Sequence, residues 1–183
     1  MVFGWAIGIA LAVIVIMFIY YYNRLVSLSN QIDNSLSQID VQLKKRADLV
    51  PNLLASVKGY MKHERAAISE VTNARKALVG ATTMESKVKA GSQLESALKS
   101  IFAIAENYPQ LRANENFLQL QQELTSIEEK VAYARQFYND GILSYNNACT
   151  TFPGKIFAGI YNRHEKTFLK ITAEERAVPK VSF

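Results

Sequence analysis

The chain of 183 residues carries 21 lysines and arginines against 16 aspartates and glutamates, a net charge of +5, with 49% hydrophobic residues and one cysteine. Its basic residues are interleaved with acidic ones instead of being gathered in a stripe, which argues against nucleic acid as a partner, and a lone cysteine excludes an intrachain disulfide. No charged side chain occurs before residue 23, so the charge belongs to the roughly 160 residues that follow, enough for one domain and too few for two.

Residues 2–22, VFGWAIGIALAVIVIMFIYYY, cannot be solvated as a surface helix. At about 1.5 Å per residue the run is roughly 31 Å long, the thickness of a bilayer's hydrocarbon core, and lipid forces its backbone into a helix. Trp5 at one end and Tyr20, Tyr21 and Tyr22 at the other suit the headgroup layers. The run lacks the basic n-region and cleavage site of a signal peptide, so a retained anchor is expected. Gly4 and Gly8 form a GxxxG that would let two such helices approach closely. Arg24 follows the run and Lys44, Lys45 and Arg46 come later, a bias that places the domain in the cytoplasm with the N-terminus outside.

From Leu25 the apolar residues fall at steps of three and four: Leu25, Leu28, Ile32, Leu36, Ile39 and Leu43, then Val50, Leu54, Val57, Met61, Ile68, Val71 and Leu78. This is one helix face. Pro51 implies either a kink or a restart capped by Asp48, and Gly80 ends the helix. A second helix is expected over about 84–107 and a third, started by an Asn114 cap, over 114–149. A short apolar piece at 155–161 follows Phe152-Pro153-Gly154, and a charged tail runs from Arg163. Nothing outside the anchor alternates with period two, so no sheet is expected. The expected fold is all-α: an N-terminal transmembrane helix, then a long antiparallel helical bundle of three long helices with a short C-terminal helix and tail. By composition it divides into an anchor at 1–22, the bundle at 23–162 and the tail at 163–183.

Read as one unbroken rod, the first helix beyond the anchor is about 85 Å long, the second about 36 Å and the third about 54 Å. If the second descends and the third climbs back beside the first, residues 23–43 have no partner from their own chain. The stripe Leu25, Leu28, Ile32, Leu36, Ile39 and Leu43 would then be covered by neighbouring copies, a homo-oligomer.

Several segments together resemble the LemA family of bacterial membrane proteins: YNRLV at 22–26, SQIDVQLKKRADLVPNLLASVKGYMKHE at 37–64, AENYPQLRANENFLQLQQEL at 105–124, YARQFYNDGILSYN at 133–146, FPGKIFAG at 152–159 and PKVSF at 179–183. The resemblance implies an inner-membrane anchor with a short outer N-terminus and a helical bundle. It further implies companionship with an HtpX-type membrane metalloprotease and, through a magnetosome-membrane relative, a part in membrane organisation. Leu36 and Ala47 stand where an aromatic and a bulkier residue are expected.

Material for catalysis is thin. His63-Glu64-Arg65-Ala66-Ala67 begins like HExxH but lacks its second histidine, and His164 is the only other histidine. Gly154 and Gly159 have P-loop spacing, yet Ile160 and Tyr161 replace the Lys and Ser/Thr that hold phosphate and Mg²⁺. Glu128 and Glu129 point about 100° apart and read as a solvated face. Cys149 reads as core packing. No catalytic, cofactor-binding or metal-binding residue is expected, and no cofactor. The polar connectors are the candidate partner surface: Glu106, Asn107, Tyr108, Pro109 and Asn114, with Arg135, Tyr138 and Asn139, in which aromatic, Arg and Asn side chains mix. Capping and internal bracing are the competing role, and Val181 and Phe183 could likewise dock on the bundle or meet a partner. The expected function is a membrane-anchored helical scaffold that associates with itself, with the lipid bilayer and with other membrane proteins, serving quality control or membrane organisation. The competing class is a hydrolase whose site the sequence does not reveal.

Overall fold

The computed structural model describes residues 2–61 and 63–169, in six helices: α1 (Val2–Lys58), α2 (Arg65–Gly80), α3 (Met84–Ala105), α4 (Pro109–Arg112), α5 (Glu115–Thr150) and α6 (Gly154–Ile160). No strand occurs among the described residues. They pack as two compact units, one of residues 2–35 with 136–169, the other of residues 36–135. Both α1 and α5 contribute to each. The composition boundaries at 22 and 162 therefore do not follow the packing: the apolar run and the start of the tail belong to one unit.

In the unit of residues 36–135, the apolar face of α1 runs through Ile39, Leu43, Val50, Leu53 and Val57, all buried. Leu53 takes the inward position expected of Leu54, which is only half-buried. The rod expected to reach residue 79 instead stops at Lys58, and Gly59 opens the reversal into α2. Glycine costs about 1 kcal/mol in a helix, and Glu64, the N-cap of α2, makes no side-chain cap. The start of α2 therefore carries little signal. α2 and α3 form the next hairpin, closed by a capping box in which Thr83 accepts from the Ser86 backbone N–H at 3.2 Å and its own N–H donates to Ser86 Oγ at 3.1 Å. Gly91 of α3 is buried where an added Cβ would stand 2.6 Å from Leu43 Cδ2, so α1 and α3 meet over a glycine.

Pro51 neither breaks nor ends α1. Proline has no N–H, so the carbonyl four residues earlier, that of Ala47, loses its helical donor. Arg75 of α2 supplies one: its Nε donates to Ala47 O at 2.8 Å. Replacing Arg75 with Met is therefore expected to cost about 1.5–3 kcal/mol. In a Pro51→Ala background, where residue 51 regains its N–H, most of that cost should vanish. Denaturant melts of the parent and the three variants measure the coupling, and an equal Arg75→Met cost in both backgrounds would refute it.

The extra reversal at residues 59–64 changes the direction of α5. Its Val131 and Glu128 lie beside Leu43 and Arg46 of α1, so α5 runs antiparallel to α1 and the expected climb beside it is wrong. In the other unit Gly141 faces Ile32 (3.1 Å from an added Cβ to Cγ1) and Gly154 faces Tyr21, again antiparallel. The stripe expected to lack a partner is thus covered by its own chain. Leu25, Ile32, Ile39 and Leu43 are buried, while Leu28 and Leu36 are half-buried. Buried within its own chain, this stripe needs no neighbouring copy to cover it.

The N-terminal part of α1 is long and apolar enough to cross a membrane, and none of its most apolar window is buried against the chain. Gly4 and Gly8 have no other chain segment within 4 Å of an added Cβ.

Candidate functional site

The structure brings together one group of charges that the sequence hid. Arg46, read from sequence as part of a Lys-Lys-Arg run, is 2% exposed. Its Nη1 donates to Gly91 O at 3.2 Å and stands 3.6 Å from Glu95 Oε2. Glu95 also pairs with Lys99 at 2.6 Å, and Lys99 reaches Glu128 at 3.2 Å. Arg46 Nη2 and Gln42 Oε1 are buried with no hydrogen-bond partner among the described residues. A cavity of about 140 Å³ opens beside the group, lined by Arg46, Glu95, Lys99, Phe102, Leu124 and Glu128 among others. Glu128 is therefore no plain solvated residue, whereas its neighbour Glu129 is exposed.

Burial disfavours every charge here, and the neighbours oppose it at some groups and reinforce it at others. Burial lowers the Arg46 pKa against the opposing pull of Glu95 and Glu128. For Glu95 burial pushes upward, but hydrogen bonds from Glu128 and Lys99 and the charges of Lys99 and Arg46 outweigh it and hold the carboxyl below its ordinary range. Burial, and then the hydrogen bond and charge of Glu95, push Glu128 above that range. Of the two carboxyls, Glu128 therefore keeps its proton to higher pH than Glu95.

A carboxyl whose pKa is raised by folding binds its proton more tightly in the folded state. It favours folding below the unfolded pKa and loses that effect as pH rises through the folded one. Glu128→Gln, which keeps a donor without the titration, is therefore expected to melt higher than the parent at pH 7. Below the ordinary carboxylate range, where Glu128 is protonated in both states, the gain should disappear. Thermal melts across that range check the sign, and a variant less stable at pH 7 would refute it.

The expected partner surface divides. Asn114 caps α5, its Oδ1 accepting from Phe117 N–H at 3.1 Å. Tyr108 donates to Glu64 Oε1 at 3.2 Å. Asn139 Oδ1 accepts from Leu169 N–H at 3.1 Å, and buried Tyr138 donates to Thr167 O at 3.4 Å. Arg135 is half-buried on α5 and also engaged. These side chains brace the fold. Glu106, Asn107 and Pro109 remain exposed, and Asn107 and Pro109 join Gly59, Tyr60, His63 and Tyr108 around an open groove of about 550 Å³. His63 is exposed there, as expected.

In the unit of residues 2–35 and 136–169, the start of the tail, outside any helix, is gripped by side chains of α5 and α1. Asn146 Nδ2 donates to Lys166 O at 2.9 Å while its Oδ1 accepts from Lys166 N–H at 2.8 Å. Asn139 and Asn146 are seven residues apart, two turns of one helix face, so each holds one point of the strap. Lys166 Nζ completes the grip, donating to Ser29 Oγ at 3.0 Å and lying 5.2 Å from the centre of the Tyr145 ring. The sequence carried one signal for this, the recurrence of Asn at that spacing inside an apolar stripe. Val181 and Phe183 lie outside the described residues. Cys149 is buried and free, its thiol pushed up by burial, in keeping with core packing. His164 is exposed.

Fold and site together define an all-α bundle protein with one helix long and apolar enough to cross a membrane, an internal charge cluster and an open polar groove. The chain belongs to the LemA family, whose model matches residues 35–183. It is 29% identical to "Protein LemA" of Metamycoplasma hominis over 136 residues, covering 74% of this chain and 59% of that protein. It is 22% identical to "Magnetosome protein MamQ" of Magnetospirillum gryphiswaldense over 165 residues, covering 76% of this chain and 61% of that protein. The chain thus spans about three fifths of these curated relatives.

Proposed function

We propose that this protein is a non-enzymatic, membrane-anchored interaction module that presents its helical bundle to other membrane proteins. In this reading the apolar start of α1 crosses the inner membrane with its N-terminus outside, and the rest lies in the cytoplasm. The observation that carries the reading is the groove lined by Gly59, Tyr60, His63 and residues 107–110, which offers two aromatic rings, a proline and polar side chains around an open volume of about 550 Å³. Such a mixture favours protein contact. An HtpX-type membrane metalloprotease, in quality control, is the partner that the family resemblance suggests. A part in membrane organisation would draw on the likeness to the magnetosome protein. Self-association, in this reading, uses the groove or the anchor and not the Leu25–Leu43 stripe.

Photo-crosslinking in native membranes tests it, with benzoylphenylalanine placed at Tyr60 or Gln110 and, as a control, at exposed Gln93 of α3. Adducts specific to the groove are expected, and an antibody against the metalloprotease asks whether it is the partner. An adduct of two chains would assign the face to self-association. Identical patterns at all three positions would sink the reading.

A further inference from the structure

We propose that α6 is an interfacial helix that dips into the cytoplasmic face of the same bilayer crossed by α1, exposing Phe152, Ile156 and Ile160 to lipid. The inference rests on the reading that residues 2–22 span the membrane. The placement comes from ring contacts within one unit. Phe157 of α6 stacks on Tyr21 with centroids 4.9 Å apart and meets Phe18 edge-on at 5.2 Å. Tyr161, which ends α6, donates to Phe18 O at 2.8 Å and meets the Tyr22 ring at 5.4 Å. Phe18 stands four residues, about 6 Å, inside the Tyr22 end of the apolar run. A helix seated on Phe18, Tyr21 and Tyr22 therefore sits at the boundary between hydrocarbon and headgroups, where amphipathic helices bury one face by about 5–10 Å.

The outer face of α6 has the character that this depth demands. Its inner face is committed: Phe157, Ala158 and Gly154 are buried. Its outer side carries Ile156 and Ile160, one turn apart and 54% and 55% exposed, and Phe152, just before the helix, is 84% exposed. In water this would be an unexplained apolar ridge. Placed at the end of a span it continues the lipid-facing surface already offered by α1. The exposed charges fit as well: Lys155 lies in the first turn of the helix, Arg163 follows its end, and Arg24, whose Nη1 donates to Tyr20 OH at 3.2 Å, lies just beyond the aromatic belt on α1. Cations at that level meet lipid phosphates.

Lipid-depth quenching tests the proposal on the full chain. In a Cys149→Ala background, Ile156→Cys, Ile160→Cys, Ile14→Cys and Lys44→Cys are each labelled with a fluorophore. Each is reconstituted into phosphatidylcholine–phosphatidylglycerol vesicles containing lipids with a nitroxide near the headgroup or near the chain end. The labels at 156 and 160 should lose several-fold more emission to the shallow nitroxide than the label at 44. The label at 14 should respond more strongly to the deep nitroxide. Quenching of 156 and 160 by aqueous iodide alone, with 14 still lipid-quenched, overturns the interfacial helix and leaves the span intact. A label at 14 that no lipid nitroxide quenches overturns both. Labels at 156 and 160 shielded from water and lipid alike, with crosslinks between chains, would put a second copy on this face and overturn the proposal.

Discussion

Replacing Gly154 with alanine is expected to destabilise the unit of residues 2–35 and 136–169 by about 3 kcal/mol, the upper end for overpacking a core. Gly154 is buried at the start of α6, and an added Cβ would run into the carbonyl oxygen of Ala148 and stand 3.2 Å from Cε1 of the Tyr21 ring. A clash with a flexible side-chain end is relieved by a rotamer, but one with backbone oxygen needs the helix itself to move. Moving α6 away from Ala148 and Tyr21 would also part Phe157 from the Phe18 and Tyr21 rings. Gly159 in the same helix is the control, since an added Cβ there meets nothing within 4 Å, and Gly159→Ala should be neutral or gain about 0.5–1 kcal/mol. Thermal melts of the full chain in micelles, with proteolysis of the segment after Thr150 as a local readout, separate the two. Equal behaviour of the variants would mean that α6 is not held as described.

Much of this arrangement is legible in the sequence, and what is not has physical reasons. The three-and-four spacing found the buried faces of the long helices, because a side chain that must leave water cannot be moved off its stripe: Ile32, Ile39, Val71, Phe117, Ile127 and Tyr145 are all buried. Direction is another matter. A stripe looks the same on either side of a reversal, and the turn at Gly59 was marked only by one glycine, whereas Pro51, the stronger breaker, sits inside α1 with its orphaned carbonyl served by Arg75. One missed turn reversed α5 and left a stalk apparently bare. The charge cluster was hidden for a different reason. Arg46 reads like its exposed neighbours Lys44 and Lys45, and only the meeting of three helices shows it enclosed. Of the candidate surface residues, Asn114 caps a helix and Tyr108, Tyr138 and Asn139 bond within the fold, uses that a chain read locally cannot distinguish from display.

The cluster also makes a prediction about non-additivity, because Arg46 has two acidic neighbours and needs one. Glu95, held below its ordinary range, is the carboxyl that faces it, and Glu128, pushed above that range, gives up its proton less readily. With Glu95→Gln, burial still pushes Glu128 up but the hydrogen bond and charge of Glu95 no longer add to it, so Glu128 ionises more readily and can take over part of the compensation of Arg46 and Lys99. The cost should be moderate, about 1–2 kcal/mol. Glu128→Gln alone should stabilise at neutral pH. The double variant leaves a cation that is 2% exposed facing only Gly91 O and the positive Lys99, and removing the partner of a buried charge costs about 3–5 kcal/mol. The double variant should therefore be far less stable than the sum of the singles, a coupling of about 1–3 kcal/mol. Adding Arg46→Met to it should recover most of the loss, because the unpaired charge then leaves with the side chain that bore it while the methionine fills the space between Leu43 and Glu95. Urea melts at pH 7 decide the matter. Additive singles, or a triple variant no more stable than the double, would show that solvent and not the carboxylates compensates Arg46.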